Sequence, residues 1–415
     1  MWRTRLLSAG LAALVLAVAL WVRLRDLDAA VVLSDQLGPW LRALANPVNP
    51  APHAAPYGWA LHPPYALVLA ASTSLRGAVA GLLWVHALVA PVALWAAWRR
   101  VGPWAALPAG LLLALDGGLL DTALSGSEGY LGALWVGLAL AWPPTAPLAL
   151  ALGAMNHPLV LCCLPLLALS DWRGRPVQVS AGLGVLALLP SLPRWLAGGE
   201  GGVDLEPLQA LPAWLAQGGP GAWLLLLAPI WALWTQRRMA LATLASVAFM
   251  AMAGLWLGYL RDHHLRLLTV PLALCAVSLP RAWPMLCLLA LRLPASRLPG
   301  PDKPHRPGTL GLATELADLM QTWPPPVFVE GVVFEGSAAA EPSTLLLDLH
   351  LRGIDVALGG TEGAIVSHER RQGRRYTLEQ EPDWPTLCAG RVGGSWDAMA
   401  VLQPGTTLEA LERCP

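Results

Sequence analysis

The groups that could do chemistry in this 415-residue chain are few, and they stand between apolar runs. Asp35 lies in the stretch 33–67, LSDQLGPWLRALANPVNPAPHAAPYGWALHPPYAL, which carries His62-Pro63-Pro64-Tyr65 near its end. A carboxylate on a polar loop pressed against a membrane suits general-base work, taking a proton from an acceptor hydroxyl within hydrogen-bond reach. A plainer role stays open, because Ser34-Asp35 precedes a short amphipathic turn (Trp40-Leu41-Arg42) and could cap it. Pro63 and Pro64 are ordinary first-turn residues, so His62 is a weaker substrate-binding candidate. The run Asp121–Glu128 (DTALSGSE) reads as a polar loop directly before a span. There Glu128 is either a second acid or a charge that favours the next helix N-terminus.

Two further groups carry cationic donors. They read as one outer-side cluster, which joins Asn156-His157-Pro158, interrupting one apolar run, with Arg261-Asp262-His263-His264 at the outer end of another. Arg261, His263 or His264 could bind phosphate, since charge-assisted hydrogen bonds favour these donors. Adjacent histidines do not share one helix face, and no Cys-x-x-Cys or Cys/His spacing supports zinc. No metal ligand is assigned; no cofactor is required, with a divalent cation left open.

The elements that must position these groups are mostly apolar. Hydrophobic residues make up 55% of the chain and charged residues 13%, with mean hydropathy +0.52; soluble domains average about 25% charged. The expected fold class is mainly α, a polytopic transmembrane bundle with a small C-terminal α/β domain. Residues 1–294 form the membrane part, 295–308 a Pro-rich linker and 309–415 the small domain. The net charge is zero and the charges are unevenly spread, so net charge says nothing about partners; nucleic acid is not expected. A single lysine, Lys303, against many arginines reads as high-GC bacterial coding.

A span needs about 20 apolar residues. Candidates are Leu6–Val22, Gly77–Trp98, Trp104–Leu115, Gly129–Trp142, Ala146–Met155, Pro158–Leu169, Val177–Leu196, Gly221–Thr235, Met239–Gly258, Leu265–Leu279 and Ala282–Leu293, about eleven in all. The first has no small-x-small cleavage site and reads as an uncleaved span rather than a signal peptide. With a cytoplasmic N-terminus, Arg99-Arg100, Arg173 with Arg175, Arg237-Arg238 and Arg281 fall on the inner side. Of the eleven acidic residues before position 295, only Asp171 joins them. The outer face is then polar and mixed in charge, which is where function is expected.

Beyond the linker, Leu310–Trp323 has helical spacing, Val327–Phe334 is strand-like, Thr344–Leu351 reads as a helix ended by Arg352-Gly353, and Ile354–Leu358 is a second strand. That order predicts a βαβ unit with a parallel pair. Cys162, Cys163, Cys275 and Cys287 lie in apolar runs as small hydrophobes. Cys388 and Cys414 could pair if the domain is outside the cytoplasm.

In order, these features resemble the GT-C class of polytopic membrane glycosyltransferases, the branch of protein mannosyltransferases and the lipid A aminoarabinose transferase. The resemblance is carried by Asp35, His62-Pro63-Pro64-Tyr65, Arg99-Arg100, Asp116-Gly117-Gly118, Glu128, Met155-Asn156-His157-Pro158 and His263-His264-Leu265-Arg266-Leu267-Leu268 with Pro271. It covers roughly Leu6 to Leu293. The chain departs from the family pattern in its lone Asp35, in Ser125-Gly126-Ser127 where an arginine often precedes the second acid, and in His157 where the family has lysine. The resemblance implies a glycosyltransferase of the bacterial cell envelope, in the cytoplasmic (inner) membrane, with the C-terminal domain extracytoplasmic. It implies transfer of a sugar from a polyprenyl-phosphate donor to a lipid, glycan or protein acceptor at the outer face. Asp35, with Glu128, would serve the acceptor, and His157, Arg261, His264 and Arg266 the phosphate. Membrane lipids are the remaining partners, with a lipid entry groove bordered by amphipathic helices after Pro39 and Pro64. A lipid or polysaccharide transporter or flippase, and a non-catalytic membrane assembly partner, are the competing expectations.

Overall fold

The computed structural model describes residues 2–30, 67–68, 71–124, 129–189, 225–257, 262–278, 310–321, 327–331, 344, 347–348, 351–353, 356–358, 386–388 and 399–402. They are mostly helical. Helix α1, Trp2–Arg25, has 24 residues; at 1.5 Å per residue it reaches about 36 Å, more than a hydrocarbon core of ~30 Å. The 3₁₀ turn Leu27–Ala29 follows it. Helices α2 (Leu75–Ala87) and α3 (Val89–Arg100) together cover the run expected as one span. The break at Leu88 has a cause the apolar pattern does not display. Pro91 lacks an N–H, and its ring crowds the carbonyl four residues back, at Ala87.

Helix α4, Pro103–Ala114, starts on Gly102 (φ 142°), a conformation glycine adopts without strain, with Pro103 in its first turn. It lies against α1 and α3 at Gly110, where a Cβ would meet Val15 Cγ1 at 2.9 Å and Leu94 Cβ at 3.1 Å. Small residues permit such approach where lipid gives helices no hydrophobic reason to associate. Helix α5, Gly117–Leu124, is bent 47° from α4. Its presence corrects one expectation: Asp121 to Leu124 belong to a helix and not to the polar loop expected over 121–128. The sequence signal is Asp116, whose Oδ1 accepts the Leu119 N–H at 2.8 Å and so starts the helix.

Helices α6 (Gly129–Ala141) and α7 (Ala146–Asn156) flank the turn Pro143–Thr145. The next apolar run, Pro158–Leu169, is 3₁₀ rather than α. Pro158 and Pro165 withhold two N–H donors there. At about 2.0 Å per residue its 12 residues reach ~24 Å, against ~18 Å as an α-helix. Then come α8 (Arg175–Leu188), α9 (Arg237–Leu257), the 3₁₀ segment Asp262–Leu268 and α10 (Thr269–Val277).

Among the described residues three helices are long and apolar enough to cross a membrane, Leu7–Arg25, the pair over Leu75–Arg100, and Arg237–Leu255, or up to four if α4 and α5 count as one span. Leu131–Ala141, Pro158–Leu169 and His264–Val277 are shorter apolar helices. Exposed apolar side chains such as Val179, Val185 and Leu186 on α8 suit a lipid environment.

The two ends of the bundle can be told apart by their arginines. Arg100 donates through Nε to Leu140 O and through Nη1 to Leu169 O, both at 3.1 Å, and Arg99 donates to Ala141 O at 3.1 Å. The pair thus closes the C-termini of α6 and of the Pro158–Leu169 helix. Trp104, Trp142, Trp172 and Trp234 are exposed near this end, as expected of side chains at a membrane interface. At the opposite end, Arg23 donates from Nη1 to Ala19 O (3.1 Å) and to Ala114 O (3.0 Å), joining the C-termini of α1 and α4. Arg25 lies over the Trp21 ring, 5.4 Å from its centroid.

The C-terminal region contributes α11 (Leu310–Met320) and strands β1 (Val327–Gly331), β2 (Val356–Leu358), β3 (Thr386–Cys388) and β4 (Met399–Leu402). The strand order is β2-β1-β4-β3. β1 and β2 pair in parallel, Val327 opposite Val356, as the strand–helix–strand order predicts; β4 is antiparallel to both its neighbours. Thr344, Leu347, Asp348 and Leu351 are helical, and Gly353 (φ 71°) ends that turn, as its position after Arg352 predicts. Cys388 lies on β3, while Cys414 is outside the described residues, as are Cys287 and Ala282–Leu293.

Candidate functional site

The sequence candidates divide by where the described residues fall. Asp35, His62, Glu128 and Arg261 lie outside them, with Ser125-Gly126-Ser127 and the two amphipathic turns after Pro39 and Pro64. His263 belongs to the 3₁₀ segment Asp262–Leu268 by its backbone. His157, His264 and Arg266 are described with their side chains, and the chain folds so that the two histidines meet.

His157 ends α7 and begins the Pro158–Leu169 helix. Its Nδ1 accepts the Leu159 N–H at 3.3 Å, which fixes the neutral ring as the Nε2–H tautomer. The ring sits against His264, with centroids 4.7 Å apart and planes tilted by 45°. His157 is 3% exposed, His264 2% and Arg266 3%, so all three polar side chains are buried. Just before His157, Asn156 Nδ2 donates to Leu152 O at 3.0 Å, closing the last turn of α7.

Arg266 follows His264 by two residues and reaches a different neighbour. Its guanidinium lies on Gly118: a Cβ there would fall 2.5 Å from Nη2 and closer still to Nη1 and Cζ. Gly118 is in the first turn of α5, two residues after the capping carboxylate Asp116, which is itself fully buried. The absence of a side chain at Gly118 is therefore what lets a cation approach this helix end. Leu267, between these contacts, fits against Gly132 of α6, where any Cβ would collide with its Cδ2. The site is thus a seam where α5, α6, the α7 end and the Asp262–Leu268 segment converge. It lies at the Arg23 end of the bundle, since Asp116 immediately follows the α4 terminus that Arg23 closes.

Burying Arg266 and two imidazoles beside a carboxylate is costly in an apolar bundle unless each is paired or used. The chemistry on offer is that of anion-binding donors, a buried guanidinium and imidazole N–H groups carried on one short segment. Among the described residues no group of three or more His, Cys, Asp and Glu is arranged to hold a metal ion.

Sequence reasoning missed Arg23 and undervalued Asp116. Arg23 is fully buried and bridges two helix termini. The signal available was an arginine in the last turn of an apolar helix, four residues after Ala19, whose carbonyl it reaches. Arg99-Arg100 read as an inner-side marker and proves to be a double helix cap. No family model matches the chain, and no curated protein or solved structure compared with it is similar enough to count as a match.

Proposed function

We propose that this chain is a GT-C-like membrane glycosyltransferase that moves a sugar from a polyprenyl phosphate to an acceptor at the outer face of the cytoplasmic membrane. The observation that carries the reading is a pair of buried contacts made by the Asp262–Leu268 segment: His264 against His157, and Arg266 on Gly118 at the Asp116-capped start of α5. A polyanion leaving group is the ligand such a cluster suits best. In this scheme Asp35 takes the proton of the acceptor hydroxyl, its oxygen bonds to the sugar's anomeric carbon with inversion, and the carbon–phosphate oxygen bond breaks. The electron pair leaves with the polyprenyl phosphate, whose growing charge Arg266 and the imidazole N–H groups stabilise. About eleven crossings, an outer Arg23 end and an extracytoplasmic α/β domain over 309–415 complete the proposal. Glu128 would assist at the acceptor, and Arg261 and His263 at the phosphate.

A flippase or transporter is the second reading. It is favoured by the 47° break between α4 and α5 with a carboxylate at the break, since discontinuous helices border transport sites. One experiment separates the two. Asp35→Asn is reconstituted in vesicles with a polyprenyl-phosphate sugar donor, and both transfer and transbilayer movement of the donor are followed. Loss of a general base should cut transfer by roughly 10²–10⁴-fold. Wild-type transfer rates in the folded variant exclude Asp35 as base; donor movement without transfer in the wild type favours the flippase.

A further inference from the structure

The segment between Ala30 and Leu75 holds Asp35, and its two ends are tied together in the fold. Arg76 forms a salt bridge with Asp28, joining the start of α2 to the turn that follows α1. The C-terminal region then adds one contact at each end. Leu310 N–H, at the start of α11, donates to Ala30 O at 2.6 Å, where the segment leaves the bundle. Asp348 Oδ1 accepts from Leu75 N–H at 3.4 Å, where it returns. Helix N-termini leave their first N–H groups unsatisfied and favour a negative charge. Ser74 Oγ already accepts the Gly77 N–H at 3.1 Å, and Asp348 brings a second acceptor from far along the chain.

These contacts belong to a packed interface. Leu310, Ala313, Ala317 and Leu347 are fully buried, and Asp348 is 1% exposed. Asp348 is paired with Arg352 Nη2 at 3.1 Å, and the same guanidinium reaches Asp318 on α11. Arg352 thereby locks the Thr344–Leu351 turn to α11. Burial works against the Arg352 charge, but Asp318 and Asp348 more than offset it and raise its pKa above the ordinary value. A C-terminal region that merely hung from the last span would need neither contact.

We infer that α11 and the turn carrying Asp348 and Arg352 act in cis as a clamp on the two chain positions, Ala30 and Leu75, between which the Asp35 segment runs, with Asp348 as the positioning residue. The clamp stands on described contacts alone; its consequence for chemistry rests on the reading of Asp35 given above.

The test uses the full chain with a protease site inserted after Gly300. Cys287, Cys388 and Cys414 are changed to Ser, and Ala45→Cys supplies a label site in the 31–74 segment. The linker is cut in the folded protein. Retention of the C-terminal fragment and the rate of labelling by a membrane-impermeant maleimide are measured, alongside sugar transfer. The clamp predicts that the fragment stays bound in the parent. It predicts that Asp348→Asn and Ala313→Glu release it, and that Asp348→Glu retains it. Labelling should change by about tenfold on release, the factor a lost helix-end carboxylate is worth. A fragment retained equally in Asp348→Asn and Ala313→Glu overturns the clamp. Release with unchanged labelling also overturns it, because docking would then position nothing. Sugar transfer reports separately: its absence in the parent sinks the glycosyltransferase reading, while retention and labelling still decide the clamp. If transfer occurs, it should fall in Asp348→Asn and recover in Asp348→Glu.

Discussion

Gly118→Ala is the most direct perturbation of the candidate site, because it changes one methyl group and no charge. The added Cβ would sit 2.5 Å from Arg266 Nη2. Nη1 and Cζ would be closer still, and non-bonded heavy atoms prefer about 3.5–4.0 Å, so the guanidinium must retreat by roughly 1.5 Å. The clashing atoms are the far end of a flexible side chain, so the backbone need not shift. Arg266 is nonetheless only 3% exposed, and there is little room to receive it. Overpacking of this kind costs about 1–3 kcal/mol. If Arg266 holds the leaving phosphate, a displacement of that size should lower transfer by roughly 10²-fold, as misplaced catalytic groups do. The assay pairs thermal unfolding in detergent with transfer from a polyprenyl-phosphate donor, measured where the variant is fully folded. Arg266→Lys and the double variant complete a cycle, since the shorter, unforked lysine head relieves the clash. The stability losses should couple by about 1 kcal/mol or more. Strict additivity would refute the placement of Arg266 on Gly118. A destabilised variant with full transfer would refute the role assigned to that arginine.

The remaining predictions test neighbouring contacts. His157→Ala removes both a cap and an imidazole and should cost about 0.5–2 kcal/mol of stability. His157→Asn keeps an acceptor for the Leu159 N–H, so its melting temperature should stay near the parent's while transfer still falls. Equal activity in His157→Asn and the parent would make His157 a cap alone. Arg100→Ala leaves the Leu140 and Leu169 carbonyls without their donor and should cost about 1–3 kcal/mol. Arg100→Lys should recover only part of this, because an ammonium is a point charge and cannot fork between two helix ends; thermal unfolding reads both.

Apolar runs located helices far better than they located helix breaks. The expected spans Leu6–Val22, Trp104–Leu115, Gly129–Trp142, Ala146–Met155 and Met239–Gly258 each fall on a helix whose bounds differ by a few residues. Length and hydropathy carry that information, because every helix here must be apolar to be buried or to face lipid. What they cannot carry is the state of the backbone. Pro91 splits the second span, Asp116 opens a helix within an expected loop, and the prolines at 158 and 165 favour 3₁₀ geometry. Each of these is a single residue acting on one or two hydrogen bonds, invisible to an average over twenty. The meeting of His157 with His264 was legible as a grouping, because both segments fall at outer ends of apolar runs, but the ring contact itself depends on how two separate breaks pack.

The site residues sit at breaks for a physical reason, and that reason governs how they should be tested. An apolar environment cannot hydrate the N–H and C=O groups that a helix end exposes, so side chains or neighbouring segments must satisfy them. Asp116 does this for Leu119, His157 for Leu159, Arg23 for Ala114 and Asp348 for Leu75. A polar residue at a break therefore has a structural duty whether or not it has a chemical one, and its truncation to alanine confounds the two. Arg266 is placed differently: its guanidinium lies on a glycine in the first turn of α5. It follows that isosteric changes, Asp116→Asn and His157→Asn, and the indirect Gly118→Ala can separate chemistry from capping where alanine scanning cannot. If all three leave transfer intact, the whole seam is a set of helix caps. The polyanion site must then be sought elsewhere on the Arg23 end.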